Sequence, residues 1–430
     1  MKQVKSRRRE AALRKLALLI AAGPGTLLLL VTLLPSMPFL LLRSSCKRRR
    51  RVLPNIIRGP VPLINIKYNS RADRLYGYRS DTVVYDVYNI NTVEDFDHVV
   101  RSKRRSLLGK GITVLSPYMA FLWIVWKYDV FALFYDGGFL ACTPLRWLEL
   151  PLLRSLGKKI LVSPYGSDAT MLGRSRNRFD LRSAYGADKY VIDERAVERK
   201  VRYCCRYANC VLTGGDCVDY ISDWDAVFRS VPIDLDGWRP VYKSSSSERI
   251  RIVHAPNHRA IKGTQHVIDA CEALNREGYA VDLVLVERKP NDEARKLYES
   301  ADIVAEQFLL GAYGLFAIEA MALGKPVLTY LRDDLFAYHP AWVSLPIVNT
   351  DPDSLVANLR MLILDPGLRL ELGKRGRAYV EKYHSYEYIG GVFDKLYRQM
   401  WFGEDWGADL QRMGVKLRDR DGETHVKGAS

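Results

Sequence analysis

The segment Gly311-Ala-Tyr-Gly-Leu-Phe-Ala-Ile-Glu319-Ala-Met-Ala-Leu-Gly-Lys-Pro-Val327 carries the most decisive pattern in the chain. Two glycines open an apolar stretch that holds one acid, and Gly-Lys-Pro-Val closes it. A glycine turn feeding a helix start presents free backbone N–H groups and the positive end of the helix dipole, a site for anionic oxygen. Glu319 stands five residues after Gly314, between Ile318 and Ala320, where a carboxylate is costly unless it has donors to accept from. Two adjacent ribose hydroxyls would serve. The segment therefore predicts a cradle for a nucleotide diphosphate.

On either side of this cradle, strand-like and helix-like patterns alternate. Strands are expected at Ile250–His254, Val281–Val286, Asp302–Phe308 and Pro326–Tyr330, with helices at Lys262–Glu277, Asn291–Ser300 and Leu315–Leu323. The amino half repeats the theme. Strands are expected at Pro62–Lys67, Asp81–Tyr85, Val130–Tyr135 and Lys159–Ser163. A helix is capped by Thr143, started by Pro144 and ended at Gly157, and another covers Leu107–Tyr128 with a break near Pro117. Alternation of this kind gives parallel sheets covered on both faces by helices. At 430 residues the chain suits two such domains. The expected boundaries are 52–240 for a first domain and 248–384 for a nucleotide-binding domain, joined across the linker Ser244–Ser247. A crossover helix over 385–402, capped by Ser385, would return to the first domain, and 403–430 would be a loose polar tail. The predicted fold is α/β, two Rossmann-like doubly wound domains facing across a cleft.

The amino end differs in kind. The net charge is +16, and residues 1–51 hold thirteen Lys and Arg against Glu10 alone, which is +12 of it. The charge belongs to one end of the chain and not to a binding face, which argues against a nucleic-acid partner. It flanks an uncharged apolar run from Leu16 to Leu42, longer than the roughly 20 residues a spanning helix needs. Basic flanks favour the anionic cytoplasmic leaflet. The expectation is a membrane anchor over 1–51 with the catalytic domains on the cytosolic side. A re-entrant hairpin, bent near Pro24-Gly25 or Pro35-Ser-Met-Pro38, would keep both basic flanks in the cytosol; a single span with the amino end outside is the alternative. The stretch Tyr118–Trp126 reads as a core helix, with a membrane-facing role left open by its two tryptophans and the preceding Lys103, Arg104, Arg105 and Lys110. Seven cysteines without framework spacing suggest a reducing compartment, and Cys204, Cys205, Cys210 and Cys217 read as small buried hydrophobes.

Residues 254–264, His-Ala-Pro-Asn-His-Arg-Ala-Ile-Lys-Gly-Thr, lie between a strand and a helix. Arg259 and Lys262 are three apart at that junction, so both are expected to reach one anion at the sheet's carboxyl edge, one as a fork and one as a point charge. In the amino half, Tyr165-Gly-Ser-Asp168 follows a strand. Gly166 would let a ligand approach the backbone, and Ser167 and Asp168 would hold acceptor hydroxyls, unless the segment is only a capped turn. Tyr135-Asp-Gly-Gly138 is a weaker candidate of the same kind. His254 and His258 read as structural, and with Arg259 and Lys262 available no metal is needed.

Together these segments resemble the family 4 glycosyltransferases, a retaining family with two Rossmann domains (the GT-B arrangement), over roughly residues 128–400. The resemblance implies a donor diphosphate held by Arg259 and Lys262, ribose hydroxyls held by Glu319, and phosphate and transferred sugar met by the Gly311–Gly314 backbone. Asn257 and Tyr313 join the donor-binding candidates, Tyr165 takes the place of the family's His on the acceptor side, and Asp168 is grouped with Arg259 and Lys262 as catalytic. The family's motif has an acid eight residues before Glu319, where this chain has Gly311. The implied activity is transfer of a sugar from a nucleotide sugar to a lipid-linked or polysaccharide acceptor, without metal or other cofactor. An epimerase or hydrolase of the same fold, or a non-catalytic scaffold, is the alternative.

Overall fold

The computed structural model describes residues 2–88, 91–100, 107–242 and 249–418, with the backbone alone for 2–22 and 107–114. The first sheet is built from β1 (Ile56–Arg58), β2 (Ser80–Val84), β3 (His98–Val99), β4 (Val130–Leu133), β5 (Lys159–Val162), β6 (Cys210–Thr213) and β7 (Ala226–Val227). The second comprises β8 (Ile250–His254), β9 (Val281–Leu285), β10 (Ile303–Ala305), β11 (Val327–Thr329) and β12 (Val348–Asn349). A last strand, β13 (Lys416–Leu417), joins the first sheet, which is eight-stranded in the order β13-β7-β6-β5-β4-β1-β2-β3; the second runs β12-β11-β10-β8-β9. Pairing is parallel in both sheets except between β13 and β7. Strands β4 and β6 are buried along their whole length. Such continuous apolar runs are what a parallel sheet covered on both faces requires. Cys204, Cys205 and Cys217 pack in the core beneath this sheet, and Cys210 opens β6.

Helix α1 (Lys2–Arg49) is one continuous helix through Pro24, Pro35 and Pro38. The hairpin expected at those prolines is therefore not formed. Thr32 and Ser36 turn their hydroxyls back onto the carbonyls of Leu28 and Thr32, both at 2.6 Å, so these two hydroxyls are satisfied within the helix. Helix α3 (Leu107–Lys127) likewise runs through Pro117 without a break.

Residues 62–67, expected as a strand, instead open helix α2 (Ile64–Leu75). The apolar run Pro-Leu-Ile-Asn-Ile looks extended in isolation. The following residues continue it with helical period, burying Ile66, Asn69, Ser70, Ala72 and Asp73 on one face. That face meets the helix Tyr386–Phe402, which returns from the second sheet with Ser385 capping it through the Tyr388 amide at 3.2 Å. Arg58, at the end of β1, sits in a buried triad there: its guanidinium donates to Asp73 at 2.8 and 2.9 Å and to the Tyr397 hydroxyl at 2.6 Å. The expected loose tail is also partly ordered. Gly407–Arg412 is helical and β13 adds an antiparallel strand to β7, because Leu410 and Val415 are buried in the first domain's core. The Ser244–Ser247 linker lies outside the described residues.

Candidate active site in the cleft between the sheets

The carboxyl ends of both sheets face one cleft, which opens into a smaller and a larger adjoining cavity. Asn65, Tyr165, Gly166, Asp216 and Leu310 line both, so the two are one continuous space. This is the crevice in which doubly wound sheets bind ligands.

The short helix Arg259–Lys262 ends at Gly263, whose φ of 75° turns the chain into the helix Thr264–Arg276. His254, at the end of β8, supports that turn from below: its ring nitrogens meet Ala305 O at 2.8 Å and Thr264 Oγ1 at 2.9 Å. Burial lowers its pKa to about 4, so it is neutral and structural. Lys262 and Arg259 part company. Lys262 lines the larger cavity beside Asn257 and His258. Arg259 is exposed and points away, forming a two-pronged ion pair with Glu287 at 2.8 and 2.6 Å. A carboxylate just past the neighbouring strand β9 offers it a bidentate partner that the cleft does not. The two cations that share a helical turn thus do not converge.

What holds Lys262 is Glu306, which the sequence pattern did not single out. Glu306 follows β10 and is fully buried. It accepts from the Lys262 ammonium at 3.1 Å, from the Gly314 amide with both oxygens at 3.1 Å, and from Thr329 Oγ1 at 3.2 Å. Lys262 also donates to the Gln307 side chain. The free helix-start amide predicted at Gly314 is therefore already occupied by a carboxylate of the protein itself. Gly314 is obligatory for this: a Cβ there would sit 2.7 Å from Glu306 Oε1.

Gly311 is explained by a different neighbour. A Cβ at this position would stand 2.3 Å from Cγ and Cδ of Arg332. Arg332 is buried and reaches across the cleft to Asp219 of the first domain at 2.6 Å, while also pairing with Asp334 at 2.7 Å. The space that a motif acid at 311 would need is filled by a side chain that ties the two domains together. Tyr313 is buried and turns its hydroxyl inward to His384 Nε2 at 3.1 Å, so only its ring faces the smaller cavity. Glu319 lines neither cavity. It is half-buried on the helix Leu315–Ala322 and accepts no hydrogen bond from the described residues; desolvation raises its pKa to about 8. Its charge is felt by Tyr68 of α2 and by Tyr298.

On the opposite wall, Asp168 is buried and accepts three backbone amides: Tyr135 at 3.1 Å, Tyr165 at 3.0 Å and Gly166 at 3.0 Å. Burial, with the Asp136 charge beside it, pushes its pKa up to about 7 despite those donors. Its oxygens brace the loop and are turned away from the cleft. Tyr165, Gly166 and Ser167 form the wall itself. The Tyr165 hydroxyl donates to Asp136 at 2.6 Å, which Lys200 also grips at 2.6 Å. Gly166 has φ of 136° and open space where a Cβ would be, so the turn needs glycine for its conformation and not for room.

Three further groups face the smaller cavity without having been predicted. Arg229 stacks on the Tyr313 ring, 4.6 Å from its centroid, and its buried Nε has no partner among the described residues. Asn69 has no partner for Oδ1 among the described residues, while its amide donates to Ser230 O at 3.2 Å. Asp216 is held above the usual carboxylate range by burial. Each lies just past a strand or on a helix facing the cleft, and none belongs to a motif. Their one sequence signal is a polar side chain adjoining a short apolar run.

No family model matches the chain. It is 30% identical over 113 residues to the D-inositol 3-phosphate glycosyltransferase of Corynebacterium jeikeium; the match covers 26% of this chain and 27% of that relative, about a quarter of each. Among solved structures it is similar to sucrose-phosphate synthase of Thermosynechococcus elongatus, with a TM-score of 0.52, 16% identity, and 82% of this chain and 100% of that one covered. It is similar also to the catalytic domain of starch synthase IV of Arabidopsis thaliana bound to ADP and acarbose, with a TM-score of 0.53, 10% identity, and 81% and 99% covered. At such identities the likeness is one of fold: the chain has the two-domain GT-B fold.

Proposed function

We propose that this protein is a retaining glycosyltransferase of the family 4 type, moving a sugar from a nucleoside diphosphate sugar to a lipid-linked or polysaccharide acceptor at the cytoplasmic face of a membrane. The observation that carries the reading is the Lys262 ammonium, held by buried Glu306 and presented to the cleft between the two sheets. A fixed cation at that point stabilises charge developing on a departing diphosphate and needs no reorganisation at the moment of reaction. Arg229, on the opposite wall, supplies the second cation in the role first given to Arg259. Glu319 would accept the ribose hydroxyls, which would relieve its lack of donors. The acceptor hydroxyl would enter along Tyr165–Ser167 and attack from the face the diphosphate leaves, its proton passing to the donor phosphate. Charge neutralisation by these side chains asks for no metal.

The partial relative carries a glycosyltransferase name, which supports the reaction class. The apolar stretch Gly23–Arg49, long enough to cross a membrane, supports the location. The test is incubation of the purified full chain with a panel of nucleotide sugars and a membrane lipid extract. A glycosylated lipid or glycan, formed with release of the nucleoside diphosphate, is the expected product. Sugar interconversion without an acceptor would instead assign an epimerase, and no turnover or binding of any donor would contradict the proposal.

A further inference from the structure

Among its described side chains, 23–49, helix α1 is apolar on two faces, and one of them is covered by described residues. Leu29, Leu33 and Leu40 are buried against α3 and the domain, and Gly25 lies so close to Tyr118 that a Cβ would be 2.6 Å from its ring. The outer stripe, Leu27, Leu30, Val31, Leu34, Leu41 and Leu42, is exposed. Its spacing is that of one helix face. Alongside it α3 exposes Met119, Trp123 and Trp126, and the turn after β4 adds Trp147 and Leu148. Cations stand at the tryptophans: Lys127 is 4.8 Å from the Trp123 ring, Arg146 is 5.1 Å from that of Trp147, and Arg43 donates to Trp126 O. An apolar stripe bordered by tryptophan and by Arg or Lys is the composition that sits at a lipid headgroup boundary.

The connections decide how such a surface meets a bilayer. The carboxyl end of α1 is fastened to the globule by Lys47–Asp129 at 2.6 Å, Arg51–Glu404 at 2.5 Å and Arg48 over the Trp401 ring at 5.1 Å. Helix α3 ends on the same domain, where Lys127 pairs with Asp81 at 3.0 Å. On its amino side, the Val100 amide bonds Val84 O at 2.8 Å, and six residues, 101–106, separate Val100 from Leu107 in the sequence. Four of those six are Arg101, Lys103, Arg104 and Arg105. A 21-residue helix is about 30 Å long. If α3 followed α1 through a membrane, this link would have to carry four charges into hydrocarbon, which is costly for each of them.

We infer that α1 and α3 together form an in-plane docking face for an anionic lipid surface. The outer stripe of α1 lies at the acyl boundary, the cationic collar among the lipid phosphates, and neither helix crosses. This deepens the membrane location proposed above and rests on it, but is independent of the proposed reaction.

Flotation of the full-length protein with lipid vesicles tests the face without any sugar donor. Vesicles of phosphatidylcholine with 30% phosphatidylglycerol should carry the protein up the gradient, and phosphatidylcholine alone about tenfold less. Leu30→Glu/Leu34→Glu, at positions already exposed, should abolish flotation while leaving the thermal melt unchanged. Unimpaired flotation of the double variant would overturn the inference, as would release of a discrete dimer by these substitutions with no vesicle binding by the native chain. A second measurement separates lying from crossing. Gln3→Cys and the native Cys46 should both react with an impermeant maleimide added outside protein-bound vesicles; protection of Gln3→Cys until the vesicles are lysed would show a span.

Discussion

Asp168 and Glu306 occupy matching places in the two halves. Each follows a strand at the carboxyl edge of its sheet, each is buried, and each organises a glycine turn by accepting its amides. They differ in what completes the coordination. Asp168 is satisfied by backbone alone, and its partners Tyr165 and Gly166 become a rigid wall. Glu306 has one backbone amide, one hydroxyl and an ammonium that reaches the cleft. The same device builds a surface in one half and aims a charge in the other. The two acids are therefore expected to divide the work: Asp168 shapes the space, and Glu306 aims a cation at the leaving group.

Removing the acid in each half is the sharpest way to break this comparison. Glu306→Ala leaves the part-buried Lys262 without its counter-charge and the Gly314 amide without an acceptor, and should cost about 3 kcal/mol in denaturant unfolding. The isosteric Glu306→Gln should retain the fold yet lower kcat by about tenfold, since Lys262 is no longer aimed. Asp168→Asn should do the reverse: a stability loss of about 1 kcal/mol from mismatched amides, with kcat within about threefold of the native value. Equal kinetic losses in the two halves would dissolve the distinction.

The smallest effect expected is a pH dependence at Glu319. Its pKa, raised by burial to about 8, means that the folded chain keeps a proton which the unfolded chain releases above its ordinary value of 4.5. Stability from this group is complete below about pH 4.5 and falls as pH rises to about 8. Glu319→Gln should flatten that slope and raise the melting temperature at pH 8.5 by about 2 °C. If ribose hydroxyls donate to this carboxylate, they favour its charged form, so native donor affinity should tighten between pH 7 and pH 9 while that of the Gln variant stays level.

Much of the fold is legible because its signals are local. Ile250–His254 forms a strand at the expected bounds, since its β-branched run needs no help from distant residues. The helix after Gly314 follows from glycine and an apolar run in the same way. The failures involve partners far away in sequence. Residues 62–67 become helical because the returning helix Tyr386–Phe402 needs a helical face to pack on. Gly311 departs from the motif because of Arg332, and Arg259 leaves the cleft because of Glu287. Glu306 lies five residues before Gly311, outside any pattern that spacing reveals; only the placement of Lys262 and Thr329 beside it gives it a role. Motif spacing thus located the cleft but not the groups that aim its charge.

Lys262, and not Arg259, is the cation proposed to meet the diphosphate. Calorimetric titration of UDP, ADP and GDP into the native chain, Lys262→Ala and Arg259→Ala tests this directly. For whichever nucleotide binds, Lys262→Ala should weaken affinity by at least about tenfold and Arg259→Ala by less than twofold. A loss in Arg259→Ala equal to or greater than that in Lys262→Ala would contradict it.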